Sequence, residues 1–307
     1  MSTPPWYASV VAASRSAEAP PAWVGITQHV ASLWTDPGDA AYASAVAAGL
    51  AFAAAAAAGS LVFKSPYGKL TEGSALGGAM PALNLDPRLG WFLMELPATL
   101  SFWYFFLTSR APHARDPLPV FLAALWGLHY ANRGFFFPLS IRVAPGQKSS
   151  FSLAVVVIGW AFTALHGYLS ATWYARLGDH LHLRDRAWLA TPWFWIGLVT
   201  YQVSFWMTIH SEHIQRGLRS ARPAPDEPRY KIPRGGAFEW CTCPTYLFEL
   251  TGWLGFALMS LNPGGLVVLL VSAANLVPRA AQTHQWYLDT FDEYKKLRRA
   301  RLVPFVW

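Results

Sequence analysis

The sequence predicts an all-α integral membrane protein of seven transmembrane helices, with its N-terminus outside and its C-terminus in the cytosol. Three observations predict it. Of 307 residues, 53% are hydrophobic and 13% charged, about half the charge of a soluble domain, and the mean hydropathy is positive. Apolar runs recur at the length of roughly 20 helical residues that a bilayer core needs. The basic residues are distributed unevenly between those runs.

The elements follow in order. Met1–Pro37 carries no compact basic-then-apolar signal and reads as a tail, poorly ordered or interfacial, ahead of a membrane domain over 38–307. Ala40–Phe63 holds no charge and is the first span; its "AFAAAAAAGS" is low in complexity but rich in the best helix former. Leu89–Ser109, bracketed by Arg88 and Arg110, is the second and contains Glu95 two residues before Pro97. Leu118–Phe137 is the third, with Tyr130 and Arg133 inside and Pro138 closing it. Phe151–Ala175 and Ala187–His210 are the fourth and fifth. A polar, Pro-rich, basic connection follows, and then Trp240–Ala281 is apolar again. The "NPGG" at Asn262–Gly265 divides it into a sixth and a seventh helix. With the C-terminus cytosolic, the inner segments hold 17 Lys and Arg and the outer ones six, as the positive-inside rule requires. The net charge of +7 is thereby explained without nucleic acid. The 16 tryptophans suit the headgroup level.

Several chemistries are excluded. Cys241 and Cys243 are the sole cysteines; they cannot build a disulfide framework or the four-ligand set of a structural zinc. His210 and His213 share an i, i+3 spacing but lack further ligands, so no metal is expected. Neither a G-x-G-x-x-G after a strand nor a Walker motif is present. No internal repeat of the kind common in transporters is evident, which disfavours a proton-coupled carrier.

The informative residues are those that do not belong in lipid. An ionisable group inside a span costs about 2.5–3.5 kcal/mol on insertion scales and is a functional candidate by default. Glu95 is the clearest. It reads either as a structural carboxylate bonded to backbone freed near Pro97, or as an acid in dry surroundings. Tyr130 alone would be packing, but "LHYANRGFFF" sets it beside His129, Asn132 and Arg133, a cluster of donors that lipid cannot satisfy. Glu249 divides evenly between a structural and a ligand role. The basic stretch Arg216–Arg234 is an ordinary cytosolic loop or an anion site.

The segments "FKSPYGKLTEG", "ELP", "HYANR", "IHSEHIQRGLR", "RYKIPRGGAFEW", "YLFELTGWLGFAL" and "YLDTFDEYKKLRRARLVPFVW", in this order from Phe63 to the end, together resemble the steroid 5α-reductase family. That resemblance implies an NADPH-dependent membrane enzyme reducing the C4–C5 double bond of 3-oxo-Δ4 steroids. It places Glu95 and Tyr130 on the pair that hydrogen-bonds the 3-keto oxygen. It places Arg133, His210, Glu212, Arg219, Tyr230, Lys231, Thr245, Glu249, Arg279 and Tyr287 on positions for NADPH or its surroundings, with Ser65, Tyr67, Lys69 and Trp91 near the same cleft. Met94 stands where the family usually carries Gln, which removes one polar contact from the substrate pocket. Phe135 would line the steroid's way in. Glu212 replaces Asp, Lys231 replaces Arg, and Thr208 and Thr245 replace Asn.

The chemistry of an enone agrees with those positions. Hydride addition at the β carbon pushes charge onto the carbonyl oxygen, and donors placed there stabilise it by a few kcal/mol each in a dry site. Tyr130 can supply a phenolic O–H, and Glu95, kept neutral by apolar surroundings, a second donor. The rivals are a related membrane reductase of polyprenols or enoyl thioesters, and a membrane methyltransferase, which would not need the Glu95–Tyr130 pair. A monomer is expected, in a bacterial inner membrane by the Ala- and Arg-rich composition or in an endoplasmic reticulum membrane, with the active site open to the cytosol.

Overall fold

A computed structural model describes residues 40–62, 84–143, 151–178, 186–220, 228 and 230–307. Two compact units divide the chain at Ser44; everything below concerns the second, Ala45–Trp307. Seven principal helices carry it. They are α1 (Ala40–Val62, in this unit from Ala45 on), α2 (Pro87–Thr108), α3 (Pro117–Tyr130), α4 (Leu153–Thr172), α5 (Pro192–Gly217), α6 (Pro244–Ser260) and α7 (Pro263–Thr290). A two-residue antiparallel ladder, β1 (Asn84–Leu85) with β2 (Phe151–Ser152), ties the start of α2 to the start of α4.

Proline opens five of these helices, α2, α3, α5, α6 and α7, where its missing N–H would have been unpaired anyway. Side chains cap three of them. Asp86 accepts from Arg88 N at 2.8 Å, Thr191 from Phe194 N at 3.4 Å and Asn262 from Gly264 N at 2.8 Å, each filling an orphan donor of the first turn.

The apolar runs are helices as expected, with different ends. The fourth begins at Leu153, because Phe151 is in the strand ladder. The fifth begins at Pro192 and continues past His210 to Gly217: the residues "SEHIQRG" are polar but contain no breaker, and backbone hydrogen bonding ignores hydropathy. The seventh reaches Thr290 rather than Ala281. Among the described residues, three stretches are long and apolar enough to cross a membrane, Ala40–Ser60, Leu153–Leu177 and Pro263–Thr290. At 14 and 17 residues, α3 and α6 are shorter than roughly 20, the usual spanning length.

The third span is not one uniform helix. After Tyr130 the chain widens into a π-helical segment, Ala131–Phe136, before a last α-turn at Phe137–Ser140. There Phe137 N–H reaches back five residues to Asn132 O. Pro138 lacks an N–H and its ring crowds the carbonyl four residues earlier, which favours the wider turn. Such turns are frequent at functional sites.

Two helix pairs dominate the packing, α2 with α4 and α5 with α6. In α2, Pro97 cannot donate to Leu93 O; Trp160 Nε1 on α4 donates to that carbonyl instead, at 2.6 Å. Thr163 Oγ1 donates to Met94 O at 3.0 Å and Ser101 Oγ to Ala164 O at 2.8 Å. At Gly167 a Cβ would come within 2.5 Å of Ala98 O, so the two backbones touch there. Large apolar side chains such as Leu100, Leu107, Val157, Ile158, Val199 and Trp206 remain on the outer faces, the surface a lipid bilayer would cover.

Candidate functional site

The residues singled out for being in lipid converge. Glu95 on α2 is buried. Arg133, in the π-helical segment, donates from Nε to Glu95 Oε1 at 3.1 Å, and its Nη2 lies 3.2 Å from Glu249 Oε1 on α6. One planar guanidinium thus bridges α2 and α6, a use of Arg that Lys could not copy. The Trp91 ring lies 4.6 Å from the guanidinium carbon, at the distance of a cation–π contact.

A third carboxylate belongs to this group. Glu212 on α5 is hydrogen-bonded by Asn132 and within electrostatic range of Arg133 and Arg216. A cleft opens beside these groups, lined by His129, Asn132, Arg133, Tyr201, Phe205, Thr208, Glu212, Phe248, Glu249 and Gly252. It joins a charged, hydrogen-bonding wall to an aromatic one. Tyr130, at the last residue of α3, is buried beside it and within electrostatic range of Glu95, Arg133 and Glu249.

The surroundings of Glu95 therefore differ from the uniformly apolar pocket the sequence suggests. Arg133 occupies one of its oxygens, and the backbone group that Pro97 frees is a carbonyl, taken by Trp160. Among the described residues, two carboxyl groups contact the Arg133 guanidinium and a third, Glu212, is within electrostatic range of it. That is an excess of acceptors, which donors from a ligand would complete.

The other predicted positions fall into separate neighbourhoods. Arg219 Nη1 donates to Arg142 O at 2.6 Å, while Arg142 Nη1 donates to Arg219 O at 2.7 Å. This reciprocal pair brings two cations together at the start of the basic connection. The sequence reading did not single out Arg142; its signal was an Arg just beyond a span. His210 is exposed, and its ring lies against Gly236, which has a positive φ that glycine adopts without strain. His213 bonds Arg216 at 2.7 Å, and no group of three metal-ligating side chains occurs among the described residues.

Around the end of α7, Arg279 is buried and donates from Nε to Tyr246 Oη at 2.7 Å. Tyr287 stacks on Tyr294 at 4.9 Å, and Tyr230, just before Lys231, packs edge-on against Trp286 at 4.9 Å. Thr245 is buried in the first turn of α6. Thr242 Oγ1 bonds His284 Nδ1 at 2.6 Å, Tyr294 Oη at 2.7 Å and Ala300 O at 3.0 Å, closing the C-terminal segment onto α7. Cys241 and Cys243 are buried and form no disulfide, and burial pushes the Cys241 thiol up to about 11.

Two expected pocket residues lie on the α2 side. Phe135 packs edge-on to Phe92 at 5.6 Å. The Met94 side chain fills the space above Gly159 of α4, leaving no room there for a Cβ. Ser65, Tyr67 and Lys69 lie outside the described residues.

An arginine–carboxylate cluster beside a cleft, carried on apolar helices, is the arrangement of an all-α membrane protein. Comparison with known proteins then gives the family. A family model described as 3-oxo-5-alpha-steroid 4-dehydrogenase matches residues 149–307, a stretch that includes Glu212 and Glu249 but stops short of Glu95, Tyr130 and Arg133. Relatives cover more. The chain is 36% identical over 253 residues to the 3-oxo-5-alpha-steroid 4-dehydrogenase 1 of Mus musculus, covering 81% of this chain and 93% of that one. It is 34% identical over 246 residues to steroid 5-alpha-reductase DET2 of Gossypium hirsutum, covering 80% and 89%. The chain belongs to the 3-oxo-5-alpha-steroid 4-dehydrogenase family.

Proposed function

We propose that the chain reduces the C4–C5 double bond of 3-oxo-Δ4 steroids to 5α-reduced 3-oxo steroids, with NADPH as the reductant. The observation that carries this reading is the Arg133 guanidinium joining Glu95 to Glu249, with Tyr130 within electrostatic range of all three, at the charged wall of a cleft that Arg133 and Glu249 line, in a chain of this family.

The residues present suit the cofactor. Carboxylates on the cleft, Glu212 and Glu249, are acceptors for a carboxamide N–H₂ group, and the paired Arg142 and Arg219 suit phosphate oxygens. Thr208 on the cleft wall, and Trp91 with Arg133, would flank the same space. Arg279, Tyr287, Tyr230, Lys231 and Thr245 would hold the rest of the nucleotide or shape its surroundings, with His210 beside the "PRGG" turn. When bound, NADPH supplies the hydride that C5 of the steroid receives.

The chain's own residues do the remainder. Tyr130 donates its phenolic O–H to the 3-keto oxygen and stabilises the negative charge that develops there. Arg133 carries one positive charge for two carboxyl groups, so with Glu249 as the ionised partner Glu95 is the protonated one: one oxygen accepts from Arg133 and the other, carrying the proton, donates beside Tyr130. Arg133 fixes Glu95 and Glu249 in one geometry. Apolar helix walls keep water out, which strengthens each of these interactions. C4 takes the balancing proton, so the product gains one hydrogen molecule across the double bond.

In this reading all seven helices cross the membrane, α3 and α6 within a bilayer they span jointly with their flanking turns. The C-terminus and the basic connection face the cytosol, and the steroid enters laterally between α2 and α3 past Phe135. Purified protein in detergent should oxidise NADPH on addition of a 3-oxo-Δ4 steroid, with the product heavier by one hydrogen molecule in mass spectrometry. Tyr130→Phe and Glu95→Gln should lose turnover while still binding NADPH. NADPH binding without steroid turnover would move the substrate to other lipids; no NADPH binding at all would refute the proposed reaction.

A further inference from the structure

Tyr130 is the last residue of α3, where the helix widens into a π-helical segment, and the backbone alone does not set the orientation of its ring. Something else must fix its ring if its hydroxyl is to meet a carbonyl oxygen reliably. The ring is the end of a stack. Phe102 of α2 lies on Trp126 at 3.9 Å and 9°, and Trp126 lies on Tyr130 at 4.1 Å and 24°. All three are buried. Stacking alone sets a plane but leaves the indole free to slide within it. Trp126 is pinned by one directional contact, its Nε1–H donating to His166 Nε2 on α4 at 3.3 Å.

His166 is an unusual choice for that place. It is fully buried among Trp126, Tyr130, Phe162, Trp253 and Phe256. Because Nε2 accepts from Trp126, the ring proton belongs on Nδ1, and that buried atom has no hydrogen-bond partner. An orphan buried donor lowers stability, and an aliphatic side chain would pack here without one. The neighbouring Gly167 allows the close approach of α2 and α4, and with the Ser101, Trp160 and Thr163 bonds it fixes the height of His166 on α4.

We infer that Trp126 and His166 are positioning residues for Tyr130, with the indole N–H bond to His166 setting the plane of the stack and so the direction of the phenolic hydroxyl. The functional consequence rests on the reaction proposed above; the ring geometry does not. The two are separable because one readout is independent of turnover.

The test uses the full chain in detergent with 3-fluorotyrosine placed at position 130 by site-specific incorporation. Its 19F resonance is recorded for the wild type, Trp126→Phe, His166→Leu and His166→Gln, beside steroid turnover and NADPH affinity. Trp126→Phe keeps the aromatic stack and removes only the indole donor, so it serves if His166→Leu does not fold. His166→Gln retains an acceptor for the indole. The expected result is a single narrow resonance in the wild type that broadens or splits in Trp126→Phe and His166→Leu and is restored in His166→Gln. Turnover number should fall about tenfold with the first two, since small misplacements of a reacting group are costly, while NADPH affinity stays unchanged. Adding His166→Leu to Trp126→Phe should cost nothing further, because the two share one interaction. An unchanged resonance in Trp126→Phe, or losses that multiply in the double variant, would overturn the inference. A wild type that never reduces a steroid, yet shows the resonance pattern, would refute the proposed reaction and leave the positioning intact.

Discussion

Two of the polar clusters among the described residues are built on opposite plans. Around Arg133, charged groups dominate: Glu95 and Glu249 pair with one guanidinium, and Glu212 lies nearby. Around Thr242, neutral groups satisfy one another, with His284, Tyr294 and the Ala300 carbonyl all meeting a single hydroxyl. The first cluster borders a cleft; the second joins the C-terminal segment to α7. An excess of acceptors beside open space is a demand for a ligand. A closed set of neutral hydrogen bonds is a clasp.

That contrast breaks most sharply at Arg133. Arg133→Met leaves the buried Glu95 and the partly buried Glu249 without their cation, and removing one partner of a buried pair costs about 3–5 kcal/mol. Thermal unfolding in detergent should show a large loss of stability, together with loss of steroid turnover. Tyr130→Phe should separate chemistry from stability. We expect turnover to fall about 10²–10³-fold, as for loss of one donor to a developing oxyanion, with the melting temperature unchanged.

The neutral cluster should behave in the opposite way. Thr242→Val removes a hydroxyl that serves three partners, and leaving buried groups unsatisfied costs about 1–3 kcal/mol. Stability should fall while the turnover number of the folded fraction stays at the wild-type level. A smaller effect of the same kind is expected at Trp160→Phe, which deprives Leu93 O of the donor that Pro97 cannot supply; a loss near 1 kcal/mol is expected, seen as a lower unfolding midpoint.

The smallest effect concerns Cys241. Burial raises its folded-state value to about 11 from an ordinary 9.0, so folding favours the protonated thiol. Its contribution to stability is complete below about pH 9 and is lost as pH rises toward about 11. At pH 8 a maleimide should therefore label Cys241 only when the chain unfolds. Rapid labelling of folded protein would contradict its placement.

These outcomes bear on what the sequence could and could not disclose. Glu95, Arg133 and Glu249 were legible one by one, because a charge inside an apolar run is conspicuous. Their pairing was not, since it depends on how three separate helices approach. The "NPGG" break marked the boundary of α6 and α7, whereas hydropathy placed the starts of α5 and α6 at Ala187 and Trp240, ahead of Pro192 and Pro244. The end of α5 was missed because hydropathy marks where a membrane face stops, whereas the helix continues through "SEHIQRG" for backbone reasons. The π-helical segment had a signal in Pro138, but proline announces an irregularity and not its form. Trp126 and His166 were invisible: an aromatic and a histidine in an apolar helix read as packing until the indole N–H is seen to have a partner. Arg142 was hidden differently, as one more basic residue just outside a span.

The most direct test of the central claim follows the hydride itself. The detergent-purified protein is given a 3-oxo-Δ4 steroid and NADPH carrying deuterium at its transferable position, and the product is read by NMR. The account predicts deuterium at C5 on the α face and solvent hydrogen at C4, with the signal abolished in Tyr130→Phe. Deuterium at any other carbon, or steroid recovered unreduced by protein that retains NADPH, would contradict it.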